Sequence, residues 1–217
     1  MTRSETSVIP AQAGIHSSKI VSLLGAESTG KTQLARDLAA HFGGTAVPEV
    51  LREWCLREGR APRPEELLPI AQEHERRVDA AAATSEYVFS DAGPLLVAIY
   101  GGVLFEDHPL YRFALERQAL CATTLVTGLD LPWVADGLQR DAAHAREDVD
   151  ALVRGALRKA GIAWQVVYGQ GTARLESALA ALGAGAPLSA RESNRSWSCE
   201  KCSDPECEHR LFRKLGL

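Results

Sequence analysis

Gly25-Ala26-Glu27-Ser28-Thr29-Gly30-Lys31-Thr32 fits the pattern G-x-x-x-x-G-K-[ST], and its reading decides the fold. Glycines let such a loop wrap an anion with backbone N–H groups turned inward. The helix behind it presents its N-terminus to the same anion. A lysine at the seventh position reaches the β- and γ-phosphates of a nucleotide, and a hydroxyl at the eighth serves Mg²⁺. The flanks supply the strand and helix that this reading demands. Ile20, Val21, Leu23 and Leu24 make a short apolar run, as a buried parallel strand does. Leu34, Ala35, Leu38, Ala39 and Phe42 then share one helical face, and Gly43-Gly44 stops it.

The same alternation continues along the chain. Strands are expected at 20–24, 45–48, 87–91, 122–127 and 162–168, and helices at 31–42, 50–58, 66–84, 94–104, 109–121, 144–160 and 172–182. Strands separated by helices imply right-handed crossovers and a parallel sheet covered on both faces. The expected fold is therefore α/β, a P-loop NTPase three-layer sandwich. Its five-stranded parallel sheet takes the order 2-3-1-4-5 of nucleoside and nucleotide kinases.

Composition sets the outer limits. The chain has 217 residues, 46% hydrophobic and 24% charged, with a formal net charge of −4. That is an ordinary globular composition, and it offers no electrostatic reason to expect nucleic acid. No uncharged run, Ala92 to Phe105 among them, reaches the ~20 residues a spanning helix needs. The odd cysteine count of 5, with no secretory h-region, points to a reducing cytoplasm. Residues 1–18 read as a disordered leader, 19–183 as the nucleotide-binding domain, 184–196 as a small, polar linker and 197–217 as a Cys-rich tail. Cys55 and Cys121 read as buried small hydrophobes.

Ligands of open α/β sheets sit at the carboxyl ends of the strands, and two acids fall there. Asp91 follows the third strand, where a carboxylate holds Mg²⁺ together with Thr32; the alternative is a helix N-cap. Glu49 follows the second strand, where a carboxylate orients or deprotonates an acceptor hydroxyl. Arg52, one turn on, either grips a substrate phosphate or makes an exposed ion pair. The segment 128–140 occupies the lid position of P-loop kinases, with Arg140 and Arg146 as candidates to close over the phosphates. Trp133 lies in the same segment, as a substrate contact or a packing residue. Gly169 opens a turn where such kinases cradle adenine, and Arg174 beyond it reads as exposed. The absence of an N-K-x-D motif disfavours a GTPase, and a core of this size favours a small-molecule kinase over a ring ATPase.

These residues together resemble the ribosylnicotinamide kinase domain of the NadR type. The loop 25–32 is similar to that family's, including Glu27. Pro48-Glu49-Val50-Leu51-Arg52-Glu53 resembles its E-x-x-R-E segment, Ser90-Asp91 its strand-three acid, and 130–140 (DLPWVADGLQR) its P-W-V-x-D-G-L-R element. The chain departs from the family at Pro48, Val50 and Gly93. The resemblance implies ATP-dependent phosphorylation of nicotinamide riboside in NAD salvage. ATP would be held by Gly25 to Thr32, Arg140, Arg146 and Gly169, and the acceptor by Glu49, Arg52, Asp91 and Trp133. Lys31, Glu49 and Asp91 would be catalytic. The expected partner is a nucleoside-like small molecule, without nucleic acid or membrane, and a homo-oligomer is compatible with it. A kinase for another nucleoside or small alcohol, and an ATP-binding regulatory switch, stand as alternatives.

Cys199, Cys202, Cys207 and His209 spell C-x₂-C-x₄-C-x-H. Two thiolates on one turn, a third and an imidazole make a tetrahedral Zn²⁺ set, expected to be structural because four protein ligands leave no open position.

Overall fold

The computed structural model describes residues 18–104, 106–133 and 143–184. Five strands, β1 (Lys19–Leu24), β2 (Thr45–Val47), β3 (Tyr87–Asp91), β4 (Thr123–Thr127) and β5 (Gln165–Val167), form one parallel sheet in the order β2-β3-β1-β4-β5. Seven helices lie between and after them: α1 (Lys31–Phe42), α2 (Val50–Glu58), α3 (Pro64–Ala82), α4 (Pro94–Tyr100), α5 (Pro109–Ala119), α6 (Ala143–Lys159) and α7 (Thr172–Ala181). This is the expected three-layer sandwich and strand order.

Strand periodicity builds the two layers of core. Val21 and Leu23 of β1 point to one face, where they pack with Leu34 and Leu38 of α1, Phe89, Leu125 and Ala178 of α7. Leu24 and Val126 point to the other, into a larger cluster with Ile70, Leu95, Leu96, Leu110, Val153 and Leu157. That second face also carries polar strand residues, which are paired internally. The Ser22 hydroxyl donates to Gln118 Oε1 at 3.2 Å, the Gln118 amide donates to Thr124 Oγ1 at 2.8 Å, and His74 Nε2 lies 2.8 Å from Ser90 Oγ. Pairing of this kind removes most of the cost of burying them.

The register aligns the strand ends that matter. Leu23 stands beside Asp91, Leu24 beside Val126, and Thr127 beside Val167, so the loops after β1, β3, β4 and β5 emerge along one edge.

Helix limits differ from expectation where a local signal was misweighed. α3 begins at Pro64, two residues earlier than periodicity suggests. Proline fits the first helical position, and the Glu66 carboxylate accepts the Arg63 N–H at 2.7 Å. α4 stops at Tyr100 rather than 104, because Gly102 takes a left-handed φ of +66° and turns the Val103 N–H back to the Ala98 carbonyl at 3.0 Å. β5 is three residues long, not seven. Cys55 and Cys121 are half-buried free thiols rather than fully buried ones. Burial pushes the Cys121 thiol up to about 12, which leaves it inert as a nucleophile.

Of the expected leader, Ser18 alone falls among the described residues, and its hydroxyl donates to the Ala82 and Ser85 carbonyls. The remainder of the leader, Arg140, and the zinc set Cys199, Cys202, Cys207 and His209 lie outside them. Among the described residues no helix is long and apolar enough to cross a membrane, and no group of His, Cys, Asp and Glu is arranged to hold a metal by itself.

Candidate nucleotide and acceptor site

The phosphate loop leaves β1 at Gly25, whose φ is +141°; a Cβ there would lie 2.2 Å from Thr127 Oγ1. Glycine is therefore required twice over, by backbone conformation and by the close approach of β4. At the other end Gly30, with φ +78°, is the N-cap of α1 and supplies no side-chain cap. The first-turn N–H groups of α1 are thus left for an anion. Between the glycines, Thr29 is buried with its hydroxyl donating to the Ala26 carbonyl at 2.7 Å and accepting from Thr127 Oγ1 at 2.7 Å. The Lys31 ammonium also donates to the Ala26 carbonyl, at 2.7 Å. Burial lowers the Lys31 pKa, and the nearby carboxylates of Glu49, Asp91 and Glu27 oppose that shift.

Asp91 ends β3 and is buried. Its Oδ2 accepts the Thr32 hydroxyl at 2.5 Å, while its Oδ1 has no protein partner. It is not a helix cap, because the N-cap of α4 is Gly93. Ala92 next to it holds a left-handed φ of +55°, a costly conformation for a residue with a Cβ. A buried carboxylate oxygen without a partner, beside a hydroxyl, is a donor set that fits a hard divalent cation. Burial raises the Asp91 pKa, offset by the Thr32 hydrogen bond and by Lys31.

Glu49 stands at the N-cap position of α2 but makes no capping hydrogen bond. Its side chain is 11% exposed, and Arg52 Nε donates to its Oε2 at 3.3 Å. Burial raises its pKa, and Lys31 and Arg52 pull it back. The Arg52 side chain is 43% exposed, so it borders solvent. Sequence reading assigned no role to Tyr100, the last residue of α4. Its hydroxyl faces the Glu27 carboxylate electrostatically, and burial together with Glu27 and Glu49 pushes its pKa far up, so it stays protonated. Lys31, Glu27, Glu49, Asp91, Arg52 and Tyr100 thus belong to one electrostatic cluster at the strand ends. A cavity of about 90 Å³ walled by Ser22, Glu75, Ser90, Arg117, Gln118 and Cys121 includes none of the loop residues.

A family model described as an AAA domain matches residues 20–174. The chain belongs to that AAA domain family. Its fold is also that of NadR. A crystal structure of NadR protein in complex with NAD and AMP-PNP superposes with a TM-score of 0.62 at 17% identity, covering 76% of this chain and 50% of that one. A crystal structure of NadR protein in complex with NR gives 0.54 at 20% identity, over 76% and 52%. The chain spans about half the length of these NadR chains. No curated protein matches.

Within this AAA domain, the side toward β4 and β5 departs most from the sequence reading. Arg174, expected on the surface, is 4% exposed. Its guanidinium donates to the Thr29 carbonyl, to the Gly169 carbonyl at 2.6 Å and to Asp130 Oδ1 at 2.6 Å. Asp130 Oδ2 in turn accepts the Gly169 N–H at 2.6 Å. No local pattern in α7 marks this placement, because the Thr29 and Asp130 acceptors lie far away along the chain. Arg146 is buried at the start of α6, with Nη2 donating to the Leu131 carbonyl at 3.0 Å and Nε without a protein partner. Trp133 is 39% exposed.

Proposed function

We propose that the protein is an ATP-dependent kinase that phosphorylates a hydroxyl of a small nucleoside-like acceptor, with nicotinamide riboside as the first candidate. The observation that carries this reading is the placement of a largely buried carboxylate, Glu49, beside Arg52 and in the same cluster as the loop lysine and Asp91. A carboxylate at that place is the group that deprotonation of an acceptor hydroxyl requires. The fold shared with NadR structures that hold AMP-PNP and NR supports the choice of donor and acceptor.

In this reading the Gly25–Thr32 loop and the α1 N-terminus bind the nucleotide phosphates. Lys31 exchanges the Ala26 carbonyl for phosphate oxygens and offsets their charge. Thr32 and Asp91 would hold Mg²⁺, which would supply charge neutralisation on the nucleotide phosphates. Glu49 orients the acceptor hydroxyl and takes its proton as the acceptor oxygen bonds to the γ-phosphorus and the bond from that phosphorus to the ADP oxygen breaks. Arg52 and Tyr100 fix the Glu49 and Glu27 carboxylates. Arg140 and Arg146 close over the phosphates, Gly169 lies against the base, and Trp133 contacts the acceptor. The enzyme is read as cytoplasmic, acting on neither nucleic acid nor membrane, with the Cys199–His209 set as a structural Zn²⁺ site.

A second reading, an ATP-binding regulatory switch, is favoured by the AAA description and by Gly93, where the resemblance expects another acid. A side chain at Gly93 would begin 3.9 Å from His74 Nε2 and 4.0 Å from Glu75 Oε1, so α3 already places a carboxylate near that point. The deciding experiment is purified protein with ATP, Mg²⁺ and a panel of nucleosides, followed for ADP and new phosphomonoester. Turnover with nicotinamide riboside supports the first reading. Turnover with another acceptor alone redirects it, and ATP hydrolysis without transfer supports the switch.

A further inference from the structure

Three loops that carry nucleotide-binding candidates meet at one side chain. Arg174 reaches from the first turn of α7 to the phosphate loop through the Thr29 carbonyl, to the loop after β5 through the Gly169 carbonyl, and to the loop after β4 through Asp130. Asp130 closes the ring by accepting the Gly169 N–H at 2.6 Å. Leu131, next along, packs over the loop glycine, since a Cβ on Gly30 would lie 3.1 Å from Leu131 Cδ1. Arg146 holds the Leu131 carbonyl at 3.0 Å. The guanidinium is buried, so it is anchored by three fixed acceptors rather than by water.

The consequence for the loop follows from peptide geometry. The Thr29 carbonyl and the Gly30 N–H belong to one planar trans peptide and point in opposite directions. A donor that holds the carbonyl on the outside of the loop turns the N–H of the same peptide to the inside. Gly30 alone would not fix that plane, because glycine tolerates several conformations.

We propose that Arg174 is a positioning residue for phosphate binding: with Asp130 as its anchor, it fixes the Thr29–Gly30 peptide so that the Gly30 N–H faces the nucleotide phosphates. The same pair ties the loop after β5 to the phosphate loop, so the base-side and phosphate-side halves of the site are set together. The proposal rests on the reading of residues 25–32 as a nucleotide phosphate loop, and not on the identity of the acceptor.

The test is binding rather than turnover. AMP-PNP with Mg²⁺ is titrated by calorimetry into the full chain and into Arg174→Gln, Arg174→Lys and Asp130→Asn, each labelled with ¹⁵N-glycine. The wild-type Gly30 amide signal should shift on binding. Arg174→Gln should weaken AMP-PNP about 10- to 100-fold, the loss expected for a charge-assisted hydrogen bond, and should lose the Gly30 shift while glycine signals outside residues 25–30 and 169–171 stay in place. Arg174→Lys keeps one donor and should recover part of both. Asp130→Asn keeps Arg174 and should fall between wild type and Arg174→Gln. AMP-PNP affinity within about threefold of wild type in folded Arg174→Gln, or an unchanged Gly30 shift, overturns the proposal. If Arg174→Gln does not fold, an Asp130→Asn and Arg174→Lys pair with wild-type affinity and Gly30 shift overturns it equally. Failure of the wild type to bind AMP-PNP would remove the phosphate-loop reading itself, a distinct outcome that takes the proposal with it.

Discussion

The two halves of the site are encoded in different ways. The phosphate half is one contiguous octapeptide, Gly25 to Thr32, whose spacing alone states its geometry. The proposed acceptor half is assembled from Glu49 and Arg52 around the start of α2, Asp91 at the end of β3 and Tyr100 at the end of α4, with Glu27 of the loop beside them. A loop that must present successive backbone N–H groups to one anion cannot be split along the chain. A cluster of side chains can, because the sheet brings distant strand ends together. On the proposed reading the first half binds and the second half reacts, so the two should fail differently when altered.

The largest effect is expected in the phosphate half. Lys31→Ala removes the one buried ammonium of the loop and should lower phosphoryl transfer by about 10³-fold, with AMP-PNP affinity falling as well. Turnover and binding within threefold of wild type would show that residues 25–32 are an ordinary turn. Glu49→Gln breaks the other half. Turnover should fall about 10²- to 10³-fold while AMP-PNP affinity stays within about threefold, since the lost group serves proton transfer. A matched loss of binding would merge the two halves. The pH dependence follows from the direction of the shift. Because burial raises the Glu49 pKa, its basic form disappears above the ordinary carboxylate range as pH falls, and the acid limb of kcat/KM should sit correspondingly high. That limb should vanish from whatever activity Glu49→Gln retains.

Tyr100→Phe sharpens the comparison. It deletes the hydroxyl coupled to Glu27 and Glu49 and leaves the ring in place. An increase of about tenfold in acceptor KM, with unchanged ATP affinity, would put Glu27 in the acceptor half although it lies inside the phosphate motif. An increase in ATP KM instead would return Glu27 to the nucleotide.

How far each half was legible follows from the same division. The helix limits of α1 and α2 and the strand ends at Leu24 and Asp91 could be read from periodicity and glycine stops, because those signals are local, whereas the strand order came with the kinase-like reading of the phosphate loop. Asp91 and Glu49 could be picked out because strand ends are where α/β sheets place ligands. Arg174 and Tyr100 could not. Their neighbours in space are 145 residues away for the Arg174–Thr29 contact, and no pattern in the helix around either residue records that. The polarity that sequence assigns to an arginine on a helix is solvent by default; three acceptors at the ends of three strands override it here. Arg52 shows the reverse. Read from sequence as either a phosphate grip or an exposed ion pair, it borders solvent and pairs with Glu49, as the second alternative has it.

His74 gives the smallest effect at neutral pH and marks where the site ends. It lies under the sheet, bonded through Nε2 to Ser90, the residue before Asp91, with Nδ1 lacking a protein partner. Burial, and then the charge of Arg77, lower its pKa to about 4. The folded protein therefore keeps His74 neutral at pH values where an unfolded chain protonates it, and the unfolded state binds more protons between ~6.5 and about 4. Its contribution to stability is complete above ~6.5 and is lost as pH falls through that window, a total of about 3 kcal/mol. His74→Gln should flatten this part of the stability curve, measured by urea unfolding at pH 7.5 and 5, with kcat near wild type at pH 7.5. An undiminished slope would assign the acid sensitivity to other groups. A large fall in kcat at pH 7.5 would mean that the reacting half extends through Ser90 into α3.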